Sequence, residues 1–122
     1  MKKLTALRGA AQCLNNEDDI IKQVSIMYDD ILSLNNISED DIVSLQFSVT
    51  QDIDAANPAA ALRKSGRAKN LALFAVQEAY VKNGLPRVIR CMLHCYMDEG
   101  VPLRHVYRNG AEVLRLDRAQ NG

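Results

Sequence analysis

The chain has 122 residues, enough for one hydrophobic core and hence a single domain over 1–122, and too few for two comfortable ones. About half of it is apolar (48%) and a quarter charged (25%), which excludes a disordered or membrane-embedded chain. A formal net charge of zero gives no general electrostatic footprint for nucleic acid, and no run approaches the roughly 20 apolar residues of a membrane span.

From the N-terminus, Lys3 to Ala10 alternates in part and reads as a first strand, with Arg8 at its exit and Gly9 where the backbone turns or approaches a ligand closely. Arg8 also interrupts the opening apolar run before a signal-peptide core is reached. Asn15 and Asn16 are good helix caps, and Glu17, Asp18 and Asp19 suit the positive end of a helix dipole. Ile20, Val24, Met27, Ile31 and Leu34 then recur at helical spacing, so one long helix runs to about Asn35 and Asn36. From Ile42 to Thr50, Val43, Leu45, Phe47 and Val49 alternate with Ser44, Gln46 and Ser48. This is a strand with one buried face and one polar face, the latter turned to solvent, a channel or a subunit contact.

Asn57 followed by Pro58 is a cap with proline at the first helical position, and opens a two-turn helix that closes at Gly66 and carries Arg63. Leu71 to Gln77 and Arg87 to Tyr96 read as two more strands, and as neighbours in the sheet. In the second, Arg90, Met92, His94 and Tyr96 share one face, and Ile89, Cys91, Leu93 and Cys95 share the other. Cys91 and Cys95 lie about 13 Å apart on such a strand, too far for a disulfide or shared zinc, and His94 points the opposite way, so they are buried thiols and not metal ligands. Residues 98–104 form a loop, with room for a helical turn after Pro102. Asn109-Gly110 is a strong hairpin signal between Arg104–Arg108 and Ala111–Arg115.

The sum is an α/β (α+β) fold: a mixed sheet of about five strands with one long and one short helix. A single long helix leaves much of the sheet uncovered, so a homo-oligomer is expected. Three cysteines without a secretory signal are free thiols, which points to the cytoplasm.

Chemistry concentrates in arginine. Up to Asp54 there are ten acidic residues against four basic, and beyond it eleven basic against five acidic. Two solvated faces of opposite sign account for this as well as a small anionic ligand on the second half does; the ligand is favoured by the predominance of arginine, which grips carboxylate and phosphate with paired hydrogen bonds. Glu78 and Arg90 stand in otherwise apolar runs, where an unpaired charge costs several kcal/mol; a plain ion pair and a functional site both explain them. No phosphate loop, serine elbow or zinc signature is present, and neither His94 nor His105 has an evident nucleophile to activate.

Arg8-Gly9-Ala10, Pro58-Ala59 with Arg63, Gln77-Glu78, Gly84-Leu85, Ile89-Arg90, Arg104-His105-Val106-Tyr107 and Val113-Leu114-Arg115, in this order and spacing, resemble the monofunctional, trimeric mixed α/β class of chorismate mutase. The resemblance implies a homotrimeric pseudo-barrel with active sites between subunits, which converts chorismate to prephenate by an intramolecular Claisen rearrangement in phenylalanine and tyrosine biosynthesis. It implies no metal, cofactor or covalent intermediate. By the same resemblance Arg90 stabilises the ether oxygen, Glu78 accepts from the ring hydroxyl, and Arg8 and Tyr107 orient the substrate. Arg63 comes from a neighbouring subunit, and Leu114 and Arg115 help close the cleft. Ala75 lines the pocket where a cysteine is common; Asn57 and Ala60 also depart from the pattern, replacing an aromatic residue and a lysine. The rivals are a non-catalytic trimeric module that binds small anions on the same scaffold, and the imine-deaminase family, which the Arg-His-Val-Tyr run fits less well.

Overall fold

The computed structural model describes residues 1–114, so Arg115 and the tail expected to close over a ligand lie outside the described residues. The elements are β1 (Lys2–Gln12), α1 (Glu17–Leu34), a 3₁₀ turn (Glu39–Asp41), β2 (Ile42–Val49), α2 (Pro58–Lys64), β3 (Ala72–Gln77), β4 (Val88–Asp98) and β5 (Val106–Arg108). They build one sheet in the order β3-β2-β4-β1-β5. β4 is antiparallel to both β1 and β2, while β2–β3 and β1–β5 are parallel pairs. Among the described residues no helix is long and apolar enough to cross a membrane.

Local chemistry sets the helix ends. The Asn16 side chain accepts from the Asp19 amide at the start of α1, and Asn57 accepts from the Ala59 and Ala60 amides with Pro58 in the first turn of α2. Asn57 thus works as a helix cap where the related pattern has an aromatic ring. α1 buries Ile20, Val24, Met27 and Ile31 against Leu7, Leu45, Phe47, Ile89 and Leu93 of the sheet, each such side chain worth about 1.5–3 kcal/mol. Leu34 at its last turn is exposed. Gly9 is required by this packing and not by a turn: a Cβ there would lie 2.8 Å from Cys91 Sγ and 3.0 Å from both Met27 and Ile31.

Several expectations are corrected. β3 and β4 are not neighbours, because β2 lies between them; β3 follows β2 through α2, a crossover that makes it parallel to β2 and leaves β4 the other edge of β2. β1 continues to Gln12, so Arg8 sits within the strand and not at its exit. Val43 is half exposed, because a bulge between Ile42 and Ser44 turns Ile42 inward instead. No helical turn follows Pro102. Asn109-Gly110 does turn, both with positive φ, but Ala111 then bonds back to Arg108 and Leu114 to Ala111, a helical turn and not a returning strand. β5 therefore pairs with β1 and, among the described residues, has no hairpin partner.

Candidate active site

α1 covers one face of the sheet. On the other face lies a cleft of about 650 Å³ lined by Arg8, Ala10, Gln46, Ser48, Val76, Arg90, Met92, Tyr107 and Leu114, with Gly9, Phe47 and Cys91 at its floor. Register explains this composition. Val76, Ser48, Arg90, Ala10 and Tyr107 are mutual cross-strand partners, forming one straight row across all five strands. The next row runs Phe74, Gln46, Met92, Arg8. Arg8 and Arg90 are thus diagonal neighbours on one face, about 7–8 Å apart at Cα, and the small Ala10 between Arg90 and Tyr107 leaves the hollow.

Glu78 follows β3 and prolongs its pairing, its amide donating to the Val49 carbonyl at 2.9 Å. Its carboxylate accepts from Arg90 Nε and from Ser48 Oγ, each at 3.2 Å. The two charges singled out in the sequence are therefore in direct contact, 3.2 Å apart, across β2 and through its serine. The Arg90 side chain is 44% exposed, which puts the pair at the cleft wall and not in the core. A second recess of about 360 Å³ shares Arg90 and Leu114 with the first and extends to Glu78, Asp52 and Tyr80.

The entry to β4 is braced. Arg87 has φ +47°, and its amide donates to both carboxylate oxygens of Asp52, at 3.0 and 3.1 Å. Thr50 Oγ1 accepts from the Val88 amide at 3.0 Å and donates to Asp52. Burial pushes the Asp52 carboxyl up, but the Thr50 hydroxyl and the Arg87 amide outweigh it and hold the group below its ordinary value. At the other end of the cleft the Arg8 amide donates to His105 Nδ1 at 2.9 Å.

Of the residues expected at the site, Arg8, Arg90, Tyr107 and Leu114 line one cleft, and Glu78 joins them through Arg90. Ala75 does not line it: Ala75 packs against the core on the α1 side, and its neighbour Val76 faces the cleft. Arg63 lies away from it, donating to the Leu71 carbonyl at 2.8 Å. Ser48, Gln46 and Val76 were not singled out; the polar face of β2 and a two-residue step back from Glu78 were the signals that carried them.

Among the described residues the cleft offers two guanidiniums, one carboxylate, a phenol and no activated nucleophile. Burial pushes the Cys91 thiol up to about 12, so it stays protonated at neutral pH. His94 meets Ser44 at 3.5 Å, and among the described residues no group of His, Cys, Asp or Glu is placed to hold a metal.

The family model for chorismate mutase type I matches residues 4–118. No curated protein sequence matches the chain. Among solved structures, chorismate mutase from Clostridium thermocellum superposes with a TM-score of 0.81 at 37% identity, over 89% of this chain and 98% of that one. A family match over nearly the whole chain, with a fold of the same kind, has one conclusion: the chain belongs to the type I chorismate mutase family.

Proposed function

We propose that this cleft converts chorismate to prephenate, an isomerisation in which the ether C–O bond breaks as a C–C bond forms within one molecule. The observation that carries it is the row of Ser48, Arg90, Ala10 and Tyr107 beside Arg8: fixed donors on a rigid sheet face around a hollow, with no described residue placed to attack a substrate covalently. Such a site accelerates a unimolecular rearrangement by holding a flexible dianion in its reactive shape and by stabilising charge that grows on the ether oxygen.

In this reading Arg90 serves the ether oxygen. Its Nε bond to Glu78 fixes the guanidinium and leaves the two terminal nitrogens for the substrate. Glu78, itself held by Ser48, accepts from the ring hydroxyl, Arg8 and Tyr107 orient carboxylates, and Leu114 covers the mouth. Arg63 belongs to the reading only as a contribution from a neighbouring subunit, and Arg115 belongs to it as a partner of Leu114 in closing the cleft. A homotrimer in the cytoplasm is part of it: Leu4, Phe74, Val76 and Tyr96 are exposed on the uncovered sheet face, a surface suited to partner subunits, and Cys13, Cys91 and Cys95 are free thiols, in keeping with a reducing compartment.

The Glu78–Arg90 ion pair favours one alternative, a site that binds small anions without turnover. Purified protein mixed with chorismate separates the two: the diene absorbance falls faster than in buffer if the cleft is catalytic, and a rate equal to buffer ends the mutase reading. Light scattering that found a monomer would remove the shared site.

A further inference from the structure

We propose that His105 is a positioning residue: its imidazole joins β5 to β1 and so sets the spacing of Tyr107 and Arg8 across the cleft, a role that rests on the mutase reading of that cleft. The Arg8 amide donates to His105 Nδ1 at 2.9 Å. A backbone amide can only donate, so Nδ1 carries its lone pair and the ring proton sits on Nε2. The bond falls where the second row of the cleft reaches the fifth strand, one residue before the β1–β5 ladder begins at Gly9 and Val106.

β5 needs such a join. It has three residues and, among the described residues, pairs with β1 alone, so few ladder bonds resist fraying. Side chains supply the rest. Asn35 brackets Arg104, accepting from its amide and donating to its carbonyl, each at 2.9 Å. Arg108 donates to Gln23 of α1, and Asn109 donates to the Gln12 carbonyl at 2.7 Å. Of these contacts, the His105 bond alone ends on a residue that lines the cleft. It ties the peptide of Arg8 to the residue two before Tyr107, so loss of the ring acceptor frees the two substrate-orienting groups to move relative to each other while Arg90, on β4, stays in place.

The expected signature is a loss of binding with chemistry retained. For His105→Ala, KM for chorismate rises about tenfold, the equivalent of one lost hydrogen bond, and kcat changes far less. His105→Asn, which keeps a short acceptor, restores most of the loss. In ¹⁵N-labelled wild-type protein, a scalar coupling across the hydrogen bond links the Arg8 amide nitrogen to His105 Nδ1. Absence of that coupling overturns the proposal, as does an unchanged KM in His105→Ala or an Asn variant no better than Ala. Should the alanine variant not fold, His105→Phe keeps the ring without its acceptor and carries the same expectation and the same refutation. Wild-type protein that binds but does not turn over chorismate ends the mutase reading, and the coupling then decides the join by itself.

Discussion

Strands β4 and β5 bring Arg90 and Tyr107 to the cleft as their hydrogen-bonding groups, but the two strands are held by different means. β4 pairs along eleven residues with β1 and along most of its length with β2, and its alternate residues Ile89, Cys91, Leu93 and Cys95 are buried under α1. A slip of one residue would turn that whole set to solvent, so the position of Arg90 is enforced by the entire core. Among the described residues β5 pairs over three residues with β1 and is further fastened by Asn35, His105, Arg108 and Asn109. Each such bond contributes about 0.5–1.5 kcal/mol net. The group expected to act on the breaking bond therefore sits in the most cooperative part of the sheet, and the orienting phenol sits where local opening is easiest.

The sharpest way to break this contrast is Arg90→Ala. Turnover is expected to fall by on the order of 10²–10³, about 3–4 kcal/mol, while the thermal midpoint barely moves, because a half-exposed ion pair contributes roughly 0–1 kcal/mol. Retained turnover would remove Arg90 from the chemistry. Asn35→Ala is next: it strips the Ile31 and Arg104 backbone groups of a buried partner, at a cost of about 1–3 kcal/mol. Hydrogen exchange should then quicken at β5 and not at β4, and a uniform loss of protection would erase the distinction between the strands.

Ser48→Ala tests the middle of the row. It deletes one hydrogen bond to Glu78, and a loss in kcat/KM of a few-fold, about 1 kcal/mol, is expected; no change would mean that Arg90 alone holds the carboxylate. The gentlest probe is alkaline titration of the interior. Burial raises the Cys91 thiol to about 12 and the Cys13 thiol to about 11, from ordinary values of 9.0. The folded protein therefore retains protons that the unfolded chain gives up, and stability is complete below about pH 9 and falls as the pH rises from there through the folded values. Urea midpoints measured across that range should decline, and both thiols should resist alkylation at pH 8. Rapid labelling of Cys91 would show that the β4 interior opens as readily as the edge.

Much of this was legible in the residues. The caps at Asn16 and Asn57, the helical spacing from Ile20 to Ile31 and the alternation from Ile89 to Cys95 are local signals, and each produced its element. The arginines and the absent nucleophile, with the order of short motifs, were enough to point to the family. Where local pattern and structure differ, the deciding contact is remote. Asn109-Gly110 has the chemistry of a hairpin, yet β1 offers Val106–Arg108 a parallel edge and Ala111 packs with Ala10 and Val88 instead of starting a strand.

The sequence by itself determined which residues can turn inward and which chemistry the chain can offer, because side-chain period, capping and charge act within a few residues of one another. Only the tertiary structure decided that β2 lies between β3, which leads into Glu78, and the strand carrying Arg90, that Val76 and not Ala75 faces the cleft, and that Arg8 meets His105. Those outcomes depend on strand order and register. They are set by α1 burying its apolar stripe on one face and by the crossover through α2, contacts between residues far apart in the chain that no local pattern encodes.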